Sequence, residues 1–409
     1  MLEINIDSLK EKLESFSNFG KTEGGGVSRL LFTKPEIEAR NEFCRRMEKI
    51  GAEICTDDMG NIYATIKGNE DLPAIVTGSH CDSVVKGGNY DGILGVLAAM
   101  EVLETIVKED IYHRHPITAI IWTNEEGVRF DPVMMGSGVV AGKFSREDIL
   151  KAKDTEGITF EEALKNSGFL GQKENRLKPE NTLANLELHI EQGPVLEMEE
   201  KSIGVLEGVI GMLNYAITLK GRAGHAGTVP MKYRKDAFLA ASNALIYLHD
   251  KLKDFPEDLV FTNGQVFCHP NVNTVIADEF TFVVDARHKD PEVIKRLEEV
   301  IKNMPKEFNG CKLSYKKQWT RDTVKFNEKI VEIVENSTKA LGYDYKKMYS
   351  GPGHDSQYIA DIIPTSMIFV PSKDGDSHCE WEYTSLSDCH RGVNVLLHSI
   401  LKLDNEDRL

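Results

Sequence analysis

Ile117–Phe130 reads ITAIIWTNEEGVRF, and its pattern decides the fold class. Ile117, Ala119, Ile120, Ile121 and Trp122 form an apolar run of strand length with no polar face, as expected of a strand buried on both sides in a parallel sheet. Open α/β sheets place their ligands beyond the carboxyl ends of such strands, and this one ends in two adjacent carboxylates, Glu125 and Glu126. Neighbouring residues leaving a strand point in different directions, so one carboxylate can bind a metal while the other stays free for proton transfer. Taken alone, such a pair is more often a solvated turn. The other strand ends must decide.

Upstream, Ala74–Gly78 is a short buried strand that runs into Ser79-His80-Cys81-Asp82-Ser83. Residues two apart in an extended segment share a face, so His80 can bind a metal with the Asp82 carboxylate hydrogen-bonded behind the imidazole. Next comes Gly87-Gly88-Asn89-Tyr90-Asp91-Gly92, at the head of an expected helix over 94–107. Asp91 there can cap the helix, bridge two cations, or do both. Downstream, the strand over 184–190 ends in Glu187-Leu188-His189-Ile190-Glu191-Gln192-Gly193-Pro194, the third strand end with metal-type side chains. The last part of the chain carries Ser350-Gly351-Pro352-Gly353-His354-Asp355 and Gly375-Asp376-Ser377-His378. Between these, Ser145…Asp148 and Thr159…Glu162 have the spacing of capping boxes.

From about Gly211 the pattern changes. Strands are expected at 212–220, 259–267, 279–287 and 311–319, with helices at 236–252 and 291–304, a βαββαβ order of the ferredoxin-like kind. The expected architecture is therefore α/β. A mixed, mostly parallel sheet with helices on both faces spans 1–210 and 325–409, and a compact βαββαβ domain is inserted at 211–324. The insertion gathers its polar punctuation at Gly224-His225-Ala226-Gly227, Asn271-Val272-Asn273 and Asp285-Ala286-Arg287, each of which reads as turn chemistry or as function.

Composition narrows the function. A chain of 409 residues exceeds the usual size of one core, and 41% hydrophobic with 28% charged residues describes an ordinary globular protein. A net charge of −16 argues against binding nucleic acid or an anionic membrane surface, since both are held by clustered Lys and Arg. The start, MLEINIDSLKEKLESF, has no apolar signal core, and no apolar run approaches spanning length, so a cytoplasmic protein is expected. The seven scattered cysteines, with no CxxC pair, suit reduced thiols. Imidazoles with carboxylates, one of them shared, suit Zn²⁺, Mn²⁺, Co²⁺ or Ni²⁺, and two such ions about 3.5–4 Å apart activate water for hydrolysis.

The ordered set SHCDSVVKGGNYDG, TNEEGVRF, LELHIEQGPVLE, HAGTVPM and SGPGHDS…GDSH resembles the M20 peptidase superfamily of binuclear metallohydrolases. Within it, the chain is most similar to the amidohydrolase branch of N-carbamoyl-L-amino-acid hydrolases, metal-dependent β-ureidopropionases and allantoate amidohydrolases. The resemblance implies that His80, Asp91, Glu126, His189 and His378 hold two divalent metal ions per subunit. His80, Asp91 and His189 would serve one ion and Asp91, Glu126 and His378 the other. It makes Glu125 the general base, Asp82 the support of the first histidine, and the inserted domain a lid through which a homodimer forms. It also implies that His225 approaches the reacting carbonyl and that Asn273 and Arg287 hold the substrate. Gln192 is expected on the ureido group, and His354 behind the ligands or on the substrate side. Arg287 has independent support, because a guanidinium grips a carboxylate in bidentate fashion and supplies local positive charge to an acidic protein.

Two departures bear on substrate. Met212-Leu213-Asn214 stands where allantoate-type relatives commonly carry glutamine and arginines, while Val133-Met134-Met135-Gly136-Ser137-Gly138 resembles the carbamoyl-amino-acid branch. Asp376 stands where the family usually has an apolar residue. The expected reaction is hydrolysis of the ureido C–N bond of an N-carbamoyl amino acid to amino acid, CO₂ and ammonia. Allantoate hydrolysis is the alternative, followed by an M20-type peptidase or deacylase activity and by a non-catalytic metal or small-molecule binding protein.

Overall fold

The computed structural model describes residues 2–409. Six strands precede the insertion: β1 (Glu53–Thr56), β2 (Ile62–Ile66), β3 (Ala74–His80), β4 (Ile117–Trp122), β5 (Thr182–Ile190) and β6 (Ile203–Val209). The insertion holds β7 (Gly211–Lys220), β8 (Val260–Thr262), β9 (Val266–His269), β10 (Glu279–His288), β11 (Glu307–Phe308) and β12 (Cys311–Arg321). After it come β13 (Val324–Lys325), β14 (Tyr345–Ser350) and β15 (Thr365–Val370). The chain divides into two compact units, Met1–Gly208 with Lys325–Leu409, and Val209–Val324.

The first unit is built on a nine-stranded mixed sheet in the order β1-β2-β4-β3-β5-β15-β6-β13, with β14 beside β6. Its centre, β4-β3-β5-β15, is parallel throughout, so four carboxyl ends open on one edge. Every residue of β4, β5 and β15 is buried, which suits their largely apolar composition, although β5 also buries Asn185, Glu187 and His189. The helix Ile93–Lys108, which starts just after Asp91, is buried from Ile93 through Ile106. That burial leaves it no solvated face and accounts for its nearly all-apolar sequence. Thr159 and Glu162 do form a reciprocal capping box. Ser145 does not: its hydroxyl donates to Glu147, and the four-residue helix behind it gets no side-chain cap.

A buried ion pair holds the chain just beyond β4 in place. Arg40, on the helix Lys34–Lys49, pairs with Glu36 and donates to the carbonyl of Gly60 at 2.6 Å and to Thr123 Oγ1 at 3.3 Å. Thr123 is the first residue beyond β4, so a neighbouring helix grips the chain two residues before Glu125. Phe32 and Phe169 face the guanidinium at 5.3 and 5.4 Å.

The second unit is a sheet in the order β11-β12-β7-β10-β8, with β9 also on β10. Helices Ala237–Leu252 and Pro291–Lys302 cover one face, and Leu213, Tyr215, Ile217, Val284 and Ala286 make its core with them. The single strand expected at 259–267 is two short ones, because Asn263 and Gly264 interrupt it and the Asn263 amide turns to donate to the Val283 carbonyl at 3.0 Å. Strand β11, of two residues, lies outside the strands expected from the sequence. Among the described residues no helix is long and apolar enough to cross a membrane, and all seven cysteines are free.

Arg40→Ala should destabilise the protein by about 3–5 kcal/mol, because it leaves Glu36 buried without its counter-charge. A urea unfolding curve with its midpoint unmoved would show that the pair does not hold this helix to the sheet.

Candidate metal centre

Three imidazoles converge on one carboxylate at the open edge of the parallel strands. His80 ends β3, and its Nδ1 lies 2.9 Å from the backbone carbonyl of Asp82. His189 sits one residue before the end of β5, with Nδ1 at 2.9 Å from the Ile190 carbonyl. A carbonyl can only accept, so Nδ1 carries the proton in both rings and Nε2 is turned towards the site. His80 Nε2 is then 3.6 Å and His189 Nε2 3.2 Å from Asp91 Oδ1. On the other oxygen, Asp91 Oδ2, His378 Nε2 stands at 3.2 Å, and it also lies 3.5 Å from Glu126 Oε2. His378 comes from the loop after β15 and has a left-handed backbone, φ 57°.

Among the described residues three groups of ligand atoms each lie within 4.8 Å of one another: His80, Asp91 and His189; Asp91, Glu126 and His378; and Glu187, His189 and His354. Asp91 is common to the first two, which meet at the open edge. The donor set fits divalent cations. Glu126 Oε1 is buried and has no hydrogen-bond partner among the described residues, a costly state for a carboxylate that a cation would relieve. Burial and then the neighbouring Asp91 push the Glu126 carboxyl up to about 8. Hydrogen bonding to Asp91, against the cost of burial, raises the His378 imidazole to about 9. For Asp91, burial works to raise the carboxyl, but the imidazoles of His189, His378 and His80 gathered around it overcome that and hold it well below its ordinary value.

Local backbone demands explain the neighbouring sequence. Gly92 has φ 65°, and a Cβ there would overlap the His80 ring, so only glycine lets Asp91 and His80 approach. Asn124 is left-handed at φ 58°, and its amide donates to the carbonyls of Phe130 and Pro132 at 2.8 and 3.1 Å. The amides of Met134, Met135 and Gly136 donate to the carbonyls of Glu125, Asn124 and Thr123. The two glutamates thus leave β4 on a braced turn. Glu126 faces His378, whereas Glu125 belongs to none of the ligand groups and puts Oε2 at 3.8 Å from His80 Nε2. Burial, reinforced by Asp355, Glu126 and Asp82 against the pull of His80, raises the Glu125 carboxyl well above its usual range.

Asp82 sits differently from the sequence expectation. Its carboxylate does not back the His80 ring, whose Nδ1 is 3.8 Å away. It accepts instead from the amides of Glu125 and Glu126 at 3.3 and 3.2 Å, while the backbone carbonyl of the same residue orients the imidazole. Gln192, left-handed at φ 56°, donates from Nε2 to Asp91 Oδ2 at 2.8 Å, and its Oε1 is buried without a partner among the described residues. His354 packs edge-on against His189 with ring centroids 4.5 Å apart, and its Nε2 lies 2.9 Å from Ser350 Oγ. Cys81 points its thiol at Glu36, 3.4 Å away, and so turns from the site.

His225, Asn273 and Arg287 lie in the second unit. His225 and Asn273 are exposed on adjoining segments, joined by a bridge between His225 and Val275 and by the Ala226 amide on the Thr274 carbonyl. Arg287, on β10, pairs with Asp285 at 2.9 Å and stands directly across from Met212 on β7.

Sequence reasoning missed three buried acids. Glu187 takes the hydroxyls of Ser79 at 2.6 Å and Ser356 at 2.5 Å. Its place two residues before His189 in an apolar strand was a usable signal, because the two share a face. Asp355 accepts from Ser137. Glu382 accepts the amides of Tyr90 and Asp91, both at 3.0 Å, and nothing in the local pattern separates it from the less buried acids around it.

The profile of Peptidase family M20/M25/M40 matches residues 76–402. The chain is 34% identical to an allantoate amidohydrolase of Bacillus subtilis over 404 residues, covering 97% of each. It is 36% identical to an N-carbamoyl-L-amino-acid amidohydrolase of Rhizobium meliloti over 403 residues, 98% of this chain and 96% of the relative. The crystal structure of an amidase of the hydantoinase/carbamoylase family from Burkholderia multivorans superposes with a TM-score of 0.92 at 37% identity, covering 99% of both chains.

Cation uptake should release protons. Glu126 and His378 hold theirs up to about 8 and about 9, and a ligand must shed its proton to bind. Affinity for Zn²⁺ or Mn²⁺ should therefore strengthen as pH rises through those values. Calorimetry in buffers of different ionisation enthalpy should find net proton release at pH 7, and none would contradict these ligand assignments.

Proposed function

Because the chain belongs to Peptidase family M20/M25/M40, where it is a hydrolase of C–N bonds in the amidohydrolase branch, we propose that it cleaves the ureido bond of an N-carbamoyl amino acid. The products are the amino acid, CO₂ and ammonia. The observation that carries this reading is the pair of ligand groups sharing Asp91, with Glu125 beside them and outside both. His80, Asp91 and His189 would hold one divalent ion, and Asp91, Glu126 and His378 the second. Ions bound there supply Lewis acidity, polarising a carbonyl and acidifying water.

The side chains do the rest. Glu125 takes a proton from the attacking water and returns it to the departing nitrogen, and its burial lets it hold that proton between the two steps. Asp82 fixes the reach of Glu125 by binding the two glutamate amides. Gln192 offers its unpartnered Oε1 to an N–H of the ureido group, while its Nε2 stays on Asp91. From the inserted unit, Arg287 grips the substrate carboxylate with Asn273, and His225 approaches the reacting carbonyl.

Allantoate is the second reading, favoured by the similarity to the Bacillus subtilis enzyme. Met212 weighs against it. This residue faces Arg287 across the β7–β10 pair, so an apolar thioether occupies the place where a second cationic contact would serve a more polar substrate. A homodimer through the insertion is supported by the exposed Phe238, Leu239 and Ile246 on the helix Ala237–Leu252, and by Val266 and Phe267 on β9. We expect the enzyme to work in the cytoplasm, where its seven free thiols stay reduced.

Metal-replete protein assayed for ammonia and amine release should turn over N-carbamoyl amino acids with higher kcat/KM than β-ureidopropionate, allantoate or dipeptides. Preference for allantoate would move the assignment to the second reading, and no ureido turnover with Zn²⁺, Mn²⁺, Co²⁺ or Ni²⁺ would end both. Glu125→Gln should keep its metal content and lose about 10²–10⁴-fold in kcat. Activity near wild type would remove Glu125 as the base. Arg287→Ala should raise KM for carboxylate substrates with less effect on kcat, and an unchanged KM would take Arg287 out of the site. Ile246→Asp should shift the light-scattering mass from dimer to monomer, whereas a monomeric wild type would refute the dimer.

A further inference from the structure

Glu382 is 3% exposed and lies in none of the motifs that carry the chemistry. Its carboxylate joins two segments almost three hundred residues apart in the chain. Oε1 accepts the amides of Tyr90 and Asp91, each at 3.0 Å. Oε2 is 3.0 Å from Ser377 Oγ, and that hydroxyl is also 3.2 Å from Asp91 Oδ2. Ser377 immediately precedes His378. A turn closed by the Glu382 amide on the Cys379 carbonyl at 3.2 Å runs from the histidine back to the glutamate.

The two ligand groups differ in how they are supported. His80 and His189 are buried at strand ends, and main-chain carbonyls next to them in sequence fix their rings. His378 has neither advantage: its side chain is 51% exposed and hangs from a loop. We infer that Glu382 is the positioning residue for the Asp91–Glu126–His378 group, aligning the shared aspartate and the loop histidine through one carboxylate. Outer residues of this kind tune cation affinity through the ligands they orient. Gly88 gives independent support, because a Cβ at that position would overlap the Glu382 carboxylate. The chain thus keeps this space clear for an acid it buries.

The inference rests on reading the two groups as cation sites, and its test does not require turnover. Mn²⁺ binding to chelator-treated full-length protein, followed by calorimetry and by metal analysis after dialysis, should give two equivalents for wild type. Glu382→Ala should weaken the equivalent held by Glu126 and His378 by about 10–100-fold and the other, which shares only Asp91 with it, by much less. Glu382→Gln, which keeps an oxygen for the two amides, should recover most of that loss. Gly88→Ala should reproduce the alanine effect without touching the acid. Circular dichroism checks folding, and if Glu382→Ala is insoluble, Glu382→Gln and Gly88→Ala carry the comparison.

Two undisturbed equivalents in both Glu382→Ala and Gly88→Ala would overturn the inference. So would equal weakening of both, which a general packing defect produces, or a wild type that takes only one. On any ureido substrate that wild type turns over, Glu382→Ala should lower kcat more than it raises KM, and added Mn²⁺ should restore part of the kcat. Failure of every ureido substrate would sink the proposed reaction and leave the metal comparison intact.

Discussion

The Asp91 carboxylate is the constraint on which the site depends. It is buried, yet three imidazole Nε2 atoms lie within 3.6 Å of its two oxygens. A buried carboxylate is tolerable only when its charge is answered. Around it stand further acids, Asp82, Glu125, Glu126, Glu187, Asp355 and Glu382, in a chain whose net charge is −16. Carboxyl groups outnumber imidazoles at this edge of the sheet, and the protons that Glu126 and His378 hold up to about 8 and about 9 are the charges a divalent cation would displace.

The scaffold gathers these groups by geometry. Four parallel strands bring their carboxyl ends together, and three of those ends carry ligands or the glutamate pair within a few residues of the last strand hydrogen bond. The fourth, β15, reaches the site only through a loop. That difference separates the rigid His80 and His189 from the more exposed His378. The surroundings are tied by side-chain hydrogen bonds to backbone amides and to the ligands themselves. Asp82, Gln192 and Glu382 each fix an amide or a carboxylate next to a ligand.

Much of this was legible because period-two alternation and strand-end position are local properties. His80, Asp82, Asp91, Glu125, Glu126, His189 and His378 could be singled out because nearly all stand in glycine-rich loops after apolar runs, and the family resemblance divided them into ligands, support and base. Glu187 was accessible by period two, lying two residues before His189. The split between β8 and β9 was less so, since Asn263 and Gly264 mark a turn without saying whether the strand resumes. The Ser145 box failed because spacing permits a capping box but the length of the following helix decides whether one forms.

The sequence by itself determined which chemistry is possible: the order of apolar runs sets a parallel sheet, and the residue types at its ends make an imidazole–carboxylate ligand set. Only the tertiary structure decided which atoms meet. The Asp82 backbone, not its carboxylate, orients His80, because the carboxylate finds the amides of Glu125 and Glu126 some forty residues away. Glu382 differs from Glu380 and Asp376 in no local feature, and its importance comes from Tyr90 and Asp91 arriving beside it from the other end of the chain. Hydrogen-bond partners of this kind are fixed by the packing of distant segments, and no periodicity within a segment records them.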